Sequence, residues 1–192
     1  MEIEMKIPLK AQYSPENVMS NLLNEFGSTS EEISQTDYYF SSPIHNFAIT
    51  DEALRVRQIR GKSGKKETEI TYKGPKQGKS MKIREEITIL TYSNNVQKFL
   101  QCLGFSLFGV VKKKRMNWFV DDLVISLDEV EDLGFFMEIE ITTLSENSEN
   151  IFNSKERIIR IVKKLIPDWA GEDERKSYLE LKIAKQFNAQ GT

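Results

Sequence analysis

Ionised residues recur at every second position in one strand-like segment after another, and this pattern constrains the fold more than any single motif. The N-terminal segment alternates Glu2, Glu4 and Lys6 with Ile3, Met5 and Ile7. Successive side chains of a strand point to opposite faces, so this segment has one charged and one apolar face. Arg55 and Arg57 alternate likewise with Leu54 and Val56, and Thr71 and Lys73 with Ile70 and Tyr72. Lys82, Arg84 and Glu86 follow, then Lys113 and Arg115, with Lys112 and Lys114 on the opposite side. Asp128 ends Ile-Ser-Leu-Asp, and Glu138 and Glu140 alternate with Met137, Ile139 and Ile141. An open sheet would show these charges to water. A sheet curled into a barrel with this face inward would line a cavity with eight bases and six acids.

Enclosed charges are costly unless they find partners. A polyphosphate with divalent cations satisfies both signs at once. Arginine and lysine meet phosphate oxygens, arginine in a bidentate manner. Carboxylates hold Mg²⁺ or Mn²⁺, which bridges to the same phosphates. The pattern therefore suggests a triphosphate site, although the chain has neither a P-loop nor a G-x-G-x-x-G turn.

The segments around these residues read as one α+β domain over residues 1–192. Strands are expected at 2–7, 32–40, 53–60, 67–73, 81–91, 108–117, 118–128 and 134–143. Short connections make most pairings antiparallel. Ser14-Pro15-Glu16 opens a helix that Gly27 ends. Further helices are expected at about 94–103 and 150–165, with a last helical segment around Ser177–Lys182. Residues 61–66 look like a flexible hairpin tip. Trp118 and Trp169 are expected to anchor the core. Cys102 is expected there as a small apolar residue, and His45 is expected at the surface.

Composition narrows the function classes. The 27 basic and 29 acidic residues leave a net charge of −2, which argues against a nucleic-acid coat or a polybasic membrane binder. One cysteine and one histidine exclude disulfides, Cys-cluster metal sites and His-pair chemistry. No apolar run reaches the roughly 18 residues of a membrane span. The acidic N-terminus does not read as a signal peptide, so a cytoplasmic location is expected. Neither nucleic acid nor membrane is an expected partner, and a homodimer is compatible with the chain.

The order of these segments carries a resemblance. Glu2-Ile3-Glu4-Met5-Lys6 resembles the ExExK signature of the CYTH domain, the triphosphate tunnel metalloenzymes. Ala53-Leu54-Arg55-Val56-Arg57, Thr71-Tyr72-Lys73-Gly74-Pro75, Arg84 with Glu86, Lys113 with Arg115, Leu127-Asp128 and Gly134 to Glu140 resemble its later motifs in the family's order. Ser177-Tyr178-Leu179-Glu180-Leu181 resembles the C-terminal segment of its bacterial and archaeal branch.

The resemblance implies an eight-stranded antiparallel β-barrel, a triphosphate tunnel, with flanking helices. It implies catalytic, metal-binding roles for Glu2, Glu4, Glu138 and Glu140, with Asp128 nearby, and Mg²⁺ or Mn²⁺ as the cofactor. It implies that Lys6, Arg55, Arg57, Lys73, Arg84, Lys113 and Arg115 bind the triphosphate, with Glu86 fixing basic side chains on the tunnel floor. Lys82 and Lys182 are added to the substrate-binding set. Similar proteins include class IV adenylyl cyclases, thiamine triphosphatases and inorganic triphosphatases. The cyclases carry a His-Phe-x-Gly-Arg-x-like motif before ExExK, whereas only Met1 precedes Glu2 here. Hydrolysis of inorganic triphosphate is therefore expected, with ATP and thiamine triphosphate as poorer substrates. The alternatives are conversion of ATP to cyclic AMP and a non-catalytic module that binds polyphosphate or nucleotide.

Overall fold

The computed structural model describes residues 1–10, 13–29, 31–77, 81–142 and 147–190. Strand β1 (Glu2–Leu9) is covered on both sides. Ile3, Met5 and Ile7 enter an apolar core, while Glu4 and Lys6 are equally buried on the opposite face. The chain continues through helix α1 (Pro15–Phe26), β2 (Glu31–Ser41), the helical turn α2 (Phe47–Thr50), β3 (Ala53–Gly61) and β4 (Lys66–Lys73). Then come β5 (Lys82–Arg84), β6 (Glu86–Thr91), α3 (Val96–Cys102), β7 (Ser106–Val120), β8 (Leu123–Val130) and β9 (Gly134–Thr142). Helices α4 (Ser148–Leu165) and α5 (Tyr178–Gln190) follow. Residue 143, the end of the expected last strand, lies outside the described residues.

The strands form one antiparallel sheet in the order β5-β1-β9-β8-β7-β2-β3-β4-β6. Its two edges belong to one stretch of chain. Lys82 and Arg84 pair with Glu4 and Glu2, while Glu86 pairs with Lys73. The segment thus joins β1 to β4 and nearly closes the barrel. Eight strands were expected and nine are present, because 81–91 is split at Glu85. One straight strand cannot stay in register with both β1 and β4 where they diverge. At the break the Glu85 carbonyl accepts from the Gly74 amide at 3.0 Å. The turn expected at 117/118 instead falls at Asp121-Asp122, where Asp121 takes a φ of 54°. Aspartate is among the few residues that visit this region readily.

The main apolar core lies outside the barrel wall. Ile3, Ile7, Ile125, Met137, Ile139 and Ile141 of β1, β8 and β9 pack against Leu22 of α1 and Ile158 and Val162 of α4. Each such fully buried side chain contributes about 1.5–3 kcal/mol. Ser14 caps α1 by accepting from the Asn17 amide, and Asn147 caps α4 by accepting from Glu149. Trp118 is 1% exposed in this core, and Trp169 packs against its edge. Cys102 corrects the expectation, since it is exposed. Helix α3 turns Val96 and Leu100 inward, and a residue two positions after Leu100 points almost to the opposite side.

With the helices filling the apolar side, the polar strand face has only the barrel interior left. Beyond the short β5, β1 is sealed by the segment before α5. The Glu174 amide donates to the Lys6 carbonyl at 2.7 Å, and Asp173 accepts from the Lys6 and Met81 amides.

Candidate functional site in the barrel interior

Residues paired directly across a ladder share a face, so register dictates which charges meet. Glu4 lies opposite Glu140 and Lys6 opposite Glu138. Asp37 faces Arg57, and Arg55 faces Thr71. Lys73 faces Glu86, and Arg115 faces Asp128. The result is a cavity of about 940 Å³. Thirteen of the fifteen residues expected at the site line it: Glu2, Glu4, Lys6, Arg55, Arg57, Lys73, Lys82, Arg84, Glu86, Lys113, Arg115, Glu138 and Glu140.

Most of these charges already have a partner within the barrel. The Lys82 ammonium donates to Glu4 at 2.7 Å. Lys73 and Arg84 share Glu86. Glu138 accepts from Arg115, with the Lys6 and Lys113 ammoniums 3.7 and 4.0 Å away. Burial pushes the Glu138 carboxyl up, but Arg115, Lys113, Lys6 and Lys82 outweigh it and hold it well below the usual range. Lys6 and Lys113 shift the other way. Burial, helped by Lys82 beside Lys6 and by Arg115 beside Lys113, brings each down to about 8. Both ammoniums stand over the Tyr178 ring, at 4.4 and 5.0 Å from its centre. The negative ring face offsets part of their repulsion.

Two lining acids are left out of this pairing, and Arg55 has only the Glu69 carboxylate, 4.0 Å away. Glu2 and Glu140 make no ion pair among the described residues. Burial pushes Glu2 up to about 8, with Lys73 partly opposing and Glu140, Glu86 and Glu4 adding to the rise. Glu140 is raised by burial too, against attraction from Arg115. Arg55 is 8% exposed and donates from Nη2 to Thr71 at 3.2 Å, yet its buried Nε has no partner.

Two expected residues sit elsewhere. Asp128 is fully buried in the wall and does not line the cavity. Its oxygens accept from Lys113 at 2.9 Å, from Arg115 at 2.5–2.6 Å and from the Tyr178 hydroxyl at 2.8 Å. That geometry makes it an anchor for two cations and for α5, with its acceptor capacity taken up by protein groups. Lys182 points away from the cavity and pairs with Asp132 at 3.1 Å on the β8–β9 turn. Tyr178 at the start of α5 reaches into the barrel, and Lys182, one turn further on, extends to the β8–β9 turn instead. Lys182→Ala is therefore expected to leave kcat/KM within about twofold of wild type, as for other surface changes. A loss beyond tenfold in steady-state turnover would return it to the site.

The charge alternation missed Asp37 and Glu69, which line the cavity, and assigned no role to Tyr178. Asp37 lies beside Tyr38, Tyr39 and Phe40 in β2. Its spacing from Gln35 and Tyr39 was the available signal. The mouth carries an apolar lip of Phe40, Phe47, Phe108, Leu179 and Ile183. Lys76 ties the start of α5 to this mouth through Glu180 at 3.1 Å and Asp51 at 3.0 Å.

The carboxylates fit a hard divalent cation. Glu2 and Glu140 are the lining acids without an ion pair among the described residues, and Glu4, paired with Lys82, lies opposite Glu140. Mg²⁺ commonly takes one or two carboxylates and completes its shell with water and substrate phosphates. Among the described residues no three acidic, His or Cys side chains are grouped so as to hold a metal ion by themselves.

The CYTH domain model matches residues 1–177. A Methanocaldococcus jannaschii protein named "Putative adenylate cyclase MJ0240" is 34% identical over 152 residues, covering 77% of this chain and 81% of that protein. The structure of the PH1819 protein from Pyrococcus horikoshii OT3 superposes with a TM-score of 0.81 at 34% identity, covering 96% of this chain and 99% of that one. A Hippeastrum adenylyl cyclase homologue, HpAC1, described as having a dominant triphosphatase activity, shares the fold with a TM-score of 0.60 at 19% identity, covering 97% and 96% of the two chains. With its charged barrel interior, its order of motifs and this match over most of its length, the chain belongs to the CYTH domain family.

Proposed function

We propose that the protein is a metal-dependent triphosphatase that hydrolyses the terminal phosphoanhydride of inorganic triphosphate, with ATP and thiamine triphosphate as poorer substrates. The observation that carries this reading is the residue of uncompensated charge. One cavity holds a buried guanidinium with an orphan Nε and two carboxylates pushed upward by burial. A polyanion with a divalent cation supplies both missing partners.

Glu2 and Glu140, with Glu4 adjacent, would hold Mg²⁺ or Mn²⁺. Bound there, the ion supplies Lewis-acid polarisation of phosphoryl oxygens. The chain's own residues do the rest. Arg55, Lys73 and Arg84 grip phosphate oxygens from one wall, and Lys6, Lys113 and Arg115 from the other. Their fixed donors offset charge on the transferring and leaving oxygens, so catalysis rests on positioning and electrostatics. Glu86, Glu138 and Asp128 keep those donors aimed.

A second reading, conversion of ATP to cyclic AMP and pyrophosphate, is favoured by the name of the Methanocaldococcus relative and by the apolar lip, which would receive adenine. The test incubates the protein with tripolyphosphate, ATP and thiamine triphosphate, each with Mg²⁺, with Mn²⁺ or with chelator, and resolves all products by chromatography. Orthophosphate and a shortened chain, formed fastest from tripolyphosphate and only with metal, are expected. Cyclic AMP would replace this reading with the cyclase. No product from any substrate would leave a polyphosphate-binding module.

A further inference from the structure

Asp37 and Arg57 form a two-point ion pair in the barrel interior. They face each other across the β2–β3 ladder, and Asp37 is 1% exposed. Asp37 Oδ1 accepts from Arg57 Nε at 2.7 Å, and Oδ2 accepts from Nη2 at 2.8 Å. This fork fixes both the plane and the rotation of the guanidinium. It occupies the Nε edge and leaves Nη1 free of close contact, with the Glu69 carboxylate 3.9 Å away. Burial opposes ionisation of Asp37, but Arg57, with Arg55 and Lys113 behind it, holds the carboxyl well below the usual range.

Arg55, two residues earlier on the same face, is the opposite case. Its hydrogen-bond partner is the neutral Thr71 hydroxyl, and Glu69 lies 4.0 Å off. The two arginines are thus equipped differently. Arg55 keeps most of its charge for a ligand. Arg57 has its charge cancelled and its direction set.

We infer that Asp37 is a positioning residue, which locks Arg57 so that its free Nη1 edge meets the phosphoryl group in the transition state while Arg55 supplies ground-state attraction. The inference rests on the triphosphate reading above. A charge-compensated donor adds little to the binding of a polyanion. A donor already aimed costs no reorganisation when charge develops on the reacting oxygens. The contribution of Asp37 should therefore appear in kcat and not in KM.

The test measures steady-state kinetics and thermal midpoints for wild type, Asp37→Asn, Arg57→Ala and the double variant, with tripolyphosphate and with ATP. Asp37→Asn is expected to lower kcat about 10- to 100-fold, the scale of a small misplacement of a catalytic group. KM should stay equal or fall, because the cavity gains one net positive charge. In the Arg57→Ala background, adding Asp37→Asn should change kcat by less than twofold. A merely structural role would lower the midpoint and the active fraction without this split. If Asp37→Asn strands Arg57 and fails to fold, the Arg57→Ala pair still decides.

An unchanged kcat in Asp37→Asn, a rise in KM as its main effect, or a double variant ten times slower than Arg57→Ala would overturn the inference. Failure of the functional reading is seen separately, in the wild type. Cyclic AMP there would change the product and leave the kinetic split readable. If the wild type turns over nothing, calorimetric titration with tripolyphosphate replaces the rates. Equal affinity for wild type and Asp37→Asn would then support the assignment of ground-state attraction to other residues, and a tenfold loss would overturn it.

Discussion

Glu2→Gln is expected to abolish metal-dependent turnover, by at least about a hundredfold, and to make the protein more stable above about pH 5. The first effect follows from the proposed function, because Glu2 is one of two acids available to a cation. The second follows from its surroundings. Burial, aided by Glu140, Glu86 and Glu4, raises the folded-state pKa of Glu2 from 4.5 to about 8. Between those values the folded protein retains a proton that the unfolded chain has released. Stability therefore falls as pH rises from about 4.5 to about 8 and then levels off. Glutamine removes that loss.

The advantage of the variant should be absent near pH 4 and greatest near pH 8. Each unit of pKa shift corresponds to about 1.4 kcal/mol, so the ceiling is a few kcal/mol. Thermal unfolding in a pH series, with and without Mg²⁺ or Mn²⁺, measures both claims. Metal should raise the wild-type midpoint and leave the variant nearly unmoved. A variant no more stable than wild type at pH 8 would overturn the raised pKa of Glu2, and an undiminished metal-induced shift would remove Glu2 from the metal site.

Asp128→Ala is expected to cost more stability than any other single truncation in the barrel wall. It leaves the Lys113 and Arg115 cations buried without their shared acceptor and takes the hydrogen bond from Tyr178. Breaking a buried pair from one side costs about 3–5 kcal/mol. In a chain of this size each kcal/mol moves the midpoint by about 2–4 °C, so a fall of about 10 °C is expected. Turnover should fall with it, since both cations lose their aim and α5 loses an anchor. The milder Asp128→Asn separates this role from metal binding. It should destabilise the fold while keeping the midpoint shift on adding Mg²⁺. Loss of that shift, with Glu2 and Glu140 intact, would make Asp128 a ligand after all.

These contrasts mark how far residue order alone reaches. The alternation of charged and apolar residues in β1, β3, β4, β5, β6, β7 and β9 was legible because side-chain direction in a strand is local and has a period of two. It brought thirteen of the fifteen expected residues to one cavity. The helix start at Ser14 and the stop at Gly27 are local too, set by a side chain that caps the first turn and a glycine that ends the last. Strand count was less legible. The break at Glu85 exists because one segment must pair both with β4, just before it in the chain, and with β1, far from it in sequence.

The division of labour among the charges depended on the tertiary structure entirely. Nothing in the spacing of Asp128 distinguishes a metal ligand from an anchor. The distinction came from Lys113, Arg115 and Tyr178 arriving from β7 and α5. Asp37 became part of the site only when the β2–β3 register set it against Arg57. Lys182 left the site because the β8–β9 turn set Asp132 within 3.1 Å of it. The sequence by itself determined that a charged face exists and that an apolar face opposes it, since both follow from the order of residues along a strand. Only the folded barrel decided which charges cancel and which remain for a ligand, because Coulomb attraction and desolvation depend on distances between residues far apart in the chain.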